Sequence, residues 1–266
     1  MIGQAKRLSE LVKKEAWDND AKKKILAVTS GKGGTGKSFF ILNYAYILSS
    51  MGERVLLIDL DSNLANIDVM INVTSEKTIG DFFQNRVLLK ELPIEVRPNL
   101  DVIFGDSGKL KLPSNRREII DYLFANILKL ANNYDKILID TGAGVQSDGL
   151  YLLSKTDSII LLINPDPTSV MDGYAITKLL FSEFGKREID VVVNKCDSEE
   201  EGKTTFGNIN TATKHFLKTE LNYIGIISYC NEVYKSIKEQ IIFSEEYSET
   251  EVANQIKVIA NNAILR

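Results

Sequence analysis

Short, continuous apolar runs rich in Val, Ile and Leu recur along the chain and alternate with stretches of helical length. A strand with one face in water alternates apolar and polar residues, so continuous apolar runs indicate strands buried on both faces of a parallel sheet. Strands are predicted at residues 25–29, 55–58, 100–104, 137–139, 159–163, 191–193 and 224–227, and helices at 39–50, 118–131, 170–184 and 211–219. The pattern therefore predicts an α/β fold, with helices on both faces of a mostly parallel, twisted sheet.

Two amphipathic segments lie at the two ends of the chain. Residues 1–20 are predicted to form an N-terminal helical arm, and residues 21–266 a single domain. The arm combines an apolar stripe (Ala5, Leu8, Leu11, Val12 and Ala16) with basic residues elsewhere (Lys6, Arg7, Lys13 and Lys14). Residues 251–266 have an apolar face of Val252, Ile256, Ile259, Ala260, Ala263 and Ile264. A helix on a membrane surface is usually richer in Lys and Arg, so this last segment is predicted to pack on the core.

Composition narrows the class of protein. The chain has 266 residues, a formal net charge of −4, one histidine and two cysteines. The N-terminus has no apolar signal core and no apolar run is long enough to span a bilayer, so a cytoplasmic protein is predicted. The net charge gives no reason to expect nucleic acid as a partner. Cys196 and Cys230 form no C-x-x-C pair, so neither a cysteine metal site nor a disulfide framework is predicted. His215 lies in a polar helical stretch and is predicted to be exposed, not catalytic.

The most specific motif is a glycine-rich loop at residues 31–38, which read G-K-G-G-T-G-K-S and satisfy the phosphate-loop pattern G-x-x-x-x-G-K-[ST]. The loop joins a predicted strand to a predicted helix, whose free N–H groups and dipole attract phosphate. The backbone N–H groups that are predicted to surround the β-phosphate belong to Gly33, Gly34, Thr35 and Gly36. Lys37 is predicted to contact the β- and γ-phosphate oxygens, and Ser38 to bind Mg²⁺. A nucleoside triphosphate with Mg²⁺ is therefore predicted to bind here.

Carboxylates follow two of the predicted strands. Asp59 and Asp61 come directly after the second strand, and Asp140 and Gly142 come after the fourth. Because ligands of a parallel sheet bind at the carboxyl ends of its strands, these residues are expected to face the same nucleotide. Asp140 and Asp59 are predicted to hold Mg²⁺, Asp61 to orient the attacking water, and Gly142 to turn its N–H toward the γ-phosphate. The alternative is that these aspartates only cap helices or form turns.

Lys32, directly after the first glycine, makes the loop resemble the deviant Walker A motif of the MinD/ParA class of ATPases. The resemblance implies ATP as the nucleotide, slow hydrolysis to ADP and phosphate, and an ATP-dependent homodimer. In that class the extra lysine contacts the phosphates of the partner subunit, where it would neutralise charge as an arginine finger does. Lys32 is therefore a candidate catalytic residue, together with Lys37 and Asp61.

Further segments resemble one branch of this class, the flagellar-number regulators called FlhG, YlxH or FleN. They are D-L-D-S-N-L-A-N-I-D at 59–68, I-D-T-G-A-G at 139–144, N-P-D-P-T-S-V-M-D-G-Y at 164–174, V-V-V-N-K at 191–195 and S-E-E-E-G-K at 198–203. The resemblance implies that Asn194 reads the adenine edge, which suits an amide because it both donates and accepts hydrogen bonds. It also implies that Asp166 lies near the nucleotide and the dimer interface. The chain departs from the branch at Asn63, where glycine is usual, and at residues 227–230, near the expected adenine pocket.

Residues 4–8 (Q-A-x-x-L) resemble the N-terminal helix with which FlhG proteins stimulate the GTPase of FlhF, a signal-recognition-particle-type partner. Two alternatives for the arm remain open: packing on its own domain, and transient contact with the surface of the inner membrane. The resemblance predicts a regulator of flagellar number or placement. Two other functions also remain open. One is a MinD/ParA-type ATPase that positions another cargo, and the other is an ATP-dependent small-molecule synthetase of related fold.

Overall fold

The structure is a computed structural model that describes residues 25–61, 66–106, 116–186 and 188–264. The strands are β1 (Ile25–Thr29), β2 (Val55–Leu60), β3 (Ile94–Arg97), β4 (Leu100–Ile103), β5 (Lys136–Thr141), β6 (Ser158–Ile163), β7 (Asp190–Cys196) and β8 (Asn222–Ser228). The helices are α1 (Lys37–Ser50), α2 (Ile67–Met70), α3 (Ile79–Phe83), α4 (Arg116–Leu130), α5 (Ser147–Lys155), α6 (Pro167–Phe184), α7 (Glu199–Leu217), α8 (Asn231–Glu239), α9 (Phe243–Glu246) and α10 (Glu251–Ile264). The predicted arm at residues 1–20 and the departure at Asn63 lie outside the described residues.

The described strands form one sheet in the order β3-β4-β2-β5-β1-β6-β7-β8. Every neighbouring pair is parallel except β3 and β4, which are antiparallel. The predicted α/β fold with a mostly parallel sheet is therefore confirmed. Strand β1 lies between β5 and β6, so the carboxyl ends of these three strands meet at one edge.

Both faces of the sheet are covered, because alternate residues of each central strand enter different cores. Leu56 and Ile58 of β2 pack on one side with residues of α4 to α7, and Leu57 packs on the other side with residues of α1 and α10. In α10, the side chains of Val252, Ile256, Ile259 and Ala260 are buried, and the helix contacts β8 and α1. The prediction that the last segment packs on the core is confirmed for these four side chains.

The edge strand β3 is missing from the sequence prediction. Its sequence I-E-V-R alternates apolar and charged residues and is half exposed, so it contains no continuous apolar run. It reaches β4 through a tight turn in which Asn99 has a positive φ of 64°. Asparagine adopts this left-handed conformation more readily than most residues. An antiparallel edge strand with one face in water alternates apolar and polar residues. A strand buried on both faces is apolar throughout, and only that pattern was used to predict strands.

Helix α7 begins twelve residues before the helix predicted at 211–219. The side chain of Ser198 caps it by accepting a hydrogen bond from the N–H of Glu201 at 3.2 Å. Three glutamates occupy its first turn, where the helix dipole favours negative charge. Gly202, which weakens a helix prediction, is needed for packing, because a Cβ there would lie 2.3 Å from Cγ2 of Ile226. His215 is exposed on this helix, as predicted.

Across the described ranges, the helices are too short or too polar to cross a bilayer.

Candidate functional site

The glycine-rich loop connects the end of the central strand β1 to the start of α1, as predicted. Gly34 and Gly36 have positive φ values of 76° and 96°, a conformation that glycine adopts without steric cost. A Cβ at Gly36 would also lie 2.4 Å from the side-chain nitrogen of Asn194. The loop therefore curls tightly at the helix N-terminus, in the form that a phosphate group requires.

The polar side chains of this loop are sheltered from solvent. Thr35 is fully buried, and its hydroxyl oxygen has no hydrogen-bond partner among the described residues. Lys37 is also buried, and Ser38 is half-buried. Gly33 and Gly34 are exposed at the outer part of the loop. Because buried polar groups normally have partners, the unpartnered hydroxyl of Thr35 indicates that a bound group completes the site.

The polar part of the loop ends at Ser38. The next residue, Phe39, is apolar. The ring of Phe39 is buried and meets the ring of Phe243 edge to face, with 5.5 Å between the ring centroids. Phenylalanine has no hydroxyl with which to bind a phosphate or a metal. Position 39 therefore belongs to the packing of α1 and is no part of the nucleotide site.

Asp59 and Asp140 lie side by side at the ends of the neighbouring strands β2 and β5, where they are register partners. Asp140 is fully buried. Neither of its carboxylate oxygens accepts a hydrogen bond of regular geometry from the described residues, although the Ser38 hydroxyl lies near enough to lower its pKa. A buried carboxylate with both oxygens open, beside a serine hydroxyl and a phosphate loop, suits Mg²⁺, which prefers oxygen ligands.

Asp59 has a more local set of contacts. Its two carboxylate oxygens accept hydrogen bonds from the N–H of Asp61 at 3.1 Å, of Asn66 at 3.2 Å and of Ile67 at 3.4 Å. The last two N–H groups lie at the start of α2. Asp59 therefore holds the loop after β2 in place, which corresponds to the turn-forming alternative in the sequence analysis. Its carboxylate still lies next to that of Asp140.

The electrostatics of this pair favour a bound cation. Burial raises the pKa of Asp59, and the negative charge of Asp140 raises it further. Burial also raises the pKa of Asp140, and the hydroxyl of Ser38 and the ammonium group of Lys37 only partly oppose this. The charge of Asp61 raises the pKa of both groups. A divalent cation would relieve this repulsion between carboxylates.

Asp61 and Gly142 both line one cavity at the carboxyl edge of the sheet. Its lining also includes Asp59, Thr141 and Gly144, together with apolar side chains of α3, α4 and α5. The loop after β5 is tied to β1 and to the start of the phosphate loop, because the Thr141 hydroxyl donates to the Val28 carbonyl at 2.8 Å and the Gly144 N–H donates to the Ser30 carbonyl at 2.9 Å. The structure therefore brings together both loops that were predicted to face the terminal phosphate.

Lys32 forms an ion pair within its own chain. Its Nζ lies 2.8 Å from Oδ1 of Asp166 and 2.9 Å from Oγ1 of Thr168. Asp166 is also the N-cap of α6, since the same Oδ1 accepts a hydrogen bond from the Ser169 N–H at 2.8 Å. Partial burial raises the pKa of Asp166, but the hydrogen bonds from these three groups outweigh that effect and lower the pKa to about 2. The predicted proximity of Asp166 to the phosphate loop is thus seen as a direct contact.

Asn194 also contacts the phosphate loop directly. Its Nδ2 donates to the Thr35 carbonyl at 2.7 Å, and its Oδ1 accepts from the Lys195 N–H at 2.9 Å. Lys195, which has a positive φ of 60°, donates from Nζ to the Gly34 carbonyl at 2.8 Å. Sequence reasoning assigned no role to Lys195 or Thr168, although both lie in the segments 191–195 and 164–174. The amide nitrogen of Asn194 therefore holds the phosphate loop, and its amide oxygen holds the backbone of the next residue, Lys195.

Comparison with known proteins decides the family. Residues 26–243 match the family described as the CobQ/CobB/MinD/ParA nucleotide binding domain. The chain belongs to this family. It is 30% identical over 240 residues to the antiactivator FleN of Pseudomonas aeruginosa, covering 89% of this chain and 84% of FleN. It is 33% identical over 249 residues to the flagellum site-determining protein YlxH of Helicobacter pylori, covering 91% of this chain and 83% of YlxH.

Solved structures agree on the fold of this MinD/ParA family member. The cell division ATPase MinD of Pyrococcus furiosus aligns with a TM-score of 0.76 at 21% identity, covering 91% of this chain and 98% of MinD. The septum site-determining protein MinD of Pyrococcus horikoshii, in complex with Mg-ADP, aligns with a TM-score of 0.75 at 22% identity, covering 89% and 94%. The resemblance to the MinD/ParA class and to its FleN/YlxH branch is therefore confirmed. The geometry of the loop agrees with the nucleotide binding that the family description names.

Proposed function

We propose that this protein is an ATP-binding, slowly hydrolysing dimerisation switch that regulates flagellar number or placement. The observation that carries the proposal is the buried carboxylate of Asp140, which lies beside the Ser38 hydroxyl at the end of a phosphate loop that contains Lys32. The names of FleN and YlxH, an antiactivator and a flagellum site-determining protein, support the flagellar role. No motif for a small-molecule substrate supports a synthetase, and the relatives favour flagella over another cargo.

Each residue of the site has its own role in ATP binding and hydrolysis. The N–H groups of the phosphate loop (Gly33, Gly34, Thr35 and Gly36) and Lys37 bind and orient the phosphates. Ser38 and Asp140 hold Mg²⁺, which supplies charge neutralisation on the phosphate oxygens when it is bound. Asp59 shapes the loop of Asp61 and adds negative charge beside the metal. Asp61 orients the attacking water, and the N–H of Gly142 faces the γ-phosphate.

The ion pair between Lys32 and Asp166 adds a step to the dimerisation switch. If Lys32 contacts the phosphates of the partner subunit, it must first leave Asp166 and Thr168. The two charged side chains are 35% and 40% exposed, and ion pairs with this exposure contribute only about 0–1 kcal/mol. The exchange is therefore inexpensive, and ATP on the partner supplies a stronger site for the same ammonium group.

The proposal is tested by measuring the molar mass of the purified protein with Mg-ATP, with Mg-ADP and without nucleotide. A dimer in Mg-ATP and a monomer in the other two conditions are expected. Lys37→Ala is the control, because loss of phosphate contacts should abolish both nucleotide binding and the dimer. A protein that binds no nucleotide at all, or that keeps one molar mass in every condition, would contradict the switch.

We also propose that residues 1–20 contact a GTPase of the FlhF type, with packing on the protein's own domain or contact with the inner-membrane surface as alternatives. The support is the Q-A-x-x-L pattern and the apolar stripe of this segment. A peptide of residues 1–20 should accelerate GTP hydrolysis by such a GTPase, and the same peptide with Leu8→Asp should not. Binding to anionic vesicles that depends on residues 1–20, without any acceleration of the GTPase, would favour the membrane instead.

A further inference from the structure

Two consecutive residues at the end of β7 both contact the phosphate loop. Asn194 donates from Nδ2 to the Thr35 carbonyl at 2.7 Å, and Lys195 donates from Nζ to the Gly34 carbonyl at 2.8 Å. Consecutive residues of a regular strand point to opposite faces of the sheet. A regular β7 would therefore turn only one of these two side chains toward the loop, so the shared target requires an irregularity in the strand.

The irregularity is a bulge at Lys195. Asn194 is the register partner of Ile227 and Cys196 is the register partner of Ser228, so β7 has one extra residue, Lys195, at this point. The backbone of Lys195 has a positive φ of 60°, which is uncommon for a residue with a long side chain. Bulges redirect side chains and are over-represented next to active sites. The bulge therefore turns the Lys195 side chain toward the phosphate loop, and the sequence accepts an unfavourable backbone conformation to achieve this.

The two contacts set the direction of N–H groups in the phosphate loop. In a trans peptide unit the C=O group and the N–H group of the next residue point in opposite directions. Because β7 holds the carbonyls of Gly34 and Thr35, the N–H groups of Thr35 and Gly36 point away from β7. These are two of the four N–H groups that are predicted to surround the β-phosphate. The end of β7 therefore fixes two phosphate donors in the direction that an anion needs.

Asn194 and Lys195 hold different parts of the loop. Asn194 is buried, and a Cβ at Gly36 would lie 2.4 Å from its Nδ2, so the inner part of the loop is closely packed. Gly33 and Gly34 are exposed, as is Lys195. A segment of two glycines loses much conformational entropy when it becomes ordered around a ligand. A contact that orders this outer part beforehand lowers the cost of binding.

We infer that Lys195 is a positioning residue for the phosphates, because it holds the outer part of the phosphate loop in the form that binds them. The inference rests on the proposed nucleotide site, and it adds a role for a residue that the proposed division of roles does not use. Lys195 acts through the loop and not through the base. Its effect on affinity is therefore the same for every ligand that places linked phosphates in the loop.

The test measures the dissociation constants of Mg-ADP and of Mg-tripolyphosphate by calorimetry. Lys195→Met keeps most of the length of the side chain and removes its donor. Both dissociation constants should rise by the same factor, roughly 2- to 10-fold, as expected for the loss of one hydrogen bond. Lys195→Arg retains a donor and should restore most of the affinity for both ligands. Tripolyphosphate has no base, so a lost contact with the base would leave its dissociation constant unchanged.

Lys218→Met is the matched control. Lys218 is also an exposed lysine with a left-handed backbone, at a φ of 53°, and it lies at the end of α7. The control removes the same charge and should change neither dissociation constant.

Four results would overturn the inference: wild-type affinity of Lys195→Met for both ligands, a loss confined to Mg-ADP, an equal loss in Lys218→Met, or wild-type protein that binds Mg-ADP but not Mg-tripolyphosphate. The last result would mean that the loop is not ordered for phosphates in advance. If the wild-type protein binds neither ligand, the proposed nucleotide site itself is wrong, and the inference with it.

Discussion

At the scale of single residues, substitutions of Asp61 and of Lys37 are expected to have different effects on ATP hydrolysis and ATP binding. Asp61 lies at the cavity that faces the terminal-phosphate loops, so Asp61→Ala should leave phosphate contacts intact and remove the orientation of water. We expect ATP to be retained, the dimer to accumulate and the hydrolysis rate to fall roughly 10²–10⁴-fold. Lys37→Ala should instead lose nucleotide affinity. The measurement is single-turnover hydrolysis with pre-bound ATP, and wild-type turnover by Asp61→Ala would assign the water to another residue.

The raised pKa values of Asp59 and Asp140 predict how stability depends on pH. Because the folded protein favours their protonated forms, this stabilisation is fully present below the ordinary carboxyl pKa. It is lost as pH rises through the folded-state pKa values. Each pKa unit corresponds to about 1.4 kcal/mol. In the nucleotide-free protein, Asp140→Asn should therefore stabilise the fold, and the gain in Tm over wild type should grow between pH 5 and pH 8.

Mg-ATP provides a control for the comparison of Tm between wild type and Asp140→Asn. Added Mg-ATP should reverse the order of the two proteins, since Asp140 then serves as a metal ligand and the asparagine binds the cation less well. A difference in Tm that is constant across pH would mean that Asp140 stays ionised in the folded state. It would remove the electrostatic argument for a bound cation.

A third residue-scale prediction concerns the ion pair of Lys32 and Asp166. Asp166→Asn keeps an oxygen that can cap α6 but removes the negative charge that holds Lys32. This variant should dimerise at lower ATP concentration than wild type. Lys32→Ala should bind nucleotide with modest loss and remain a monomer in ATP. A normal ATP-dependent dimer of Lys32→Ala, seen by light scattering, would exclude the contact across the subunits.

The phosphate loop was predictable residue by residue, because its glycines, lysine and serine are dictated by the shape and charge of a phosphate. The role of Asp59 was not predictable in this way, because a carboxylate after a strand serves equally well as a metal ligand or as a local acceptor of N–H groups. Only the three N–H contacts from Asp61, Asn66 and Ile67 reveal the second role. The role of Lys195 was hidden for a similar reason: its left-handed backbone and its reach to Gly34 are tertiary features.

At the scale of secondary-structure elements, the buried strands were predictable and the half-exposed ones were not. Strands such as β1 and β6 consist of five apolar residues in a row or nearly so, which only a sheet covered on both faces explains. Strand β3 and the first twelve residues of helix α7 were missed for a similar reason, because both are polar. β3 has too much charge for a buried strand, and α7 opens with a polar, glycine-containing segment whose fit depends on β8. These elements form because of contacts with residues that are distant in the sequence, and a local sequence pattern carries no information on such contacts.

At the scale of the whole molecule, the sheet order assembles the site from distant parts of the chain. The phosphate loop after β1 lies near Asp140 at the end of β5 on one side and near Asp166 after β6 on the other, because β1 lies between these strands. The next strand, β7, adds Asn194 and Lys195. All four residues are far from the loop along the chain, so no local sequence window predicts their distances from it. The position after a strand predicted Asp140, the family resemblance supplied Asp166 and Asn194, and Lys195 was not predicted.

Helix α10 packs against β8 and α1. Ile259 is fully buried in this interface, whereas the adjacent Val258 is 55% exposed. Ile259→Ala should lower the free energy of unfolding by roughly 2–5 kcal/mol, as for other large-to-small changes in a core, and Val258→Ala by much less. Chemical denaturation of the two variants measures both values. If α10 were instead a membrane anchor, Ile259→Ala would leave stability unchanged and weaken sedimentation with anionic vesicles, so equal stability of both variants would contradict the packing role.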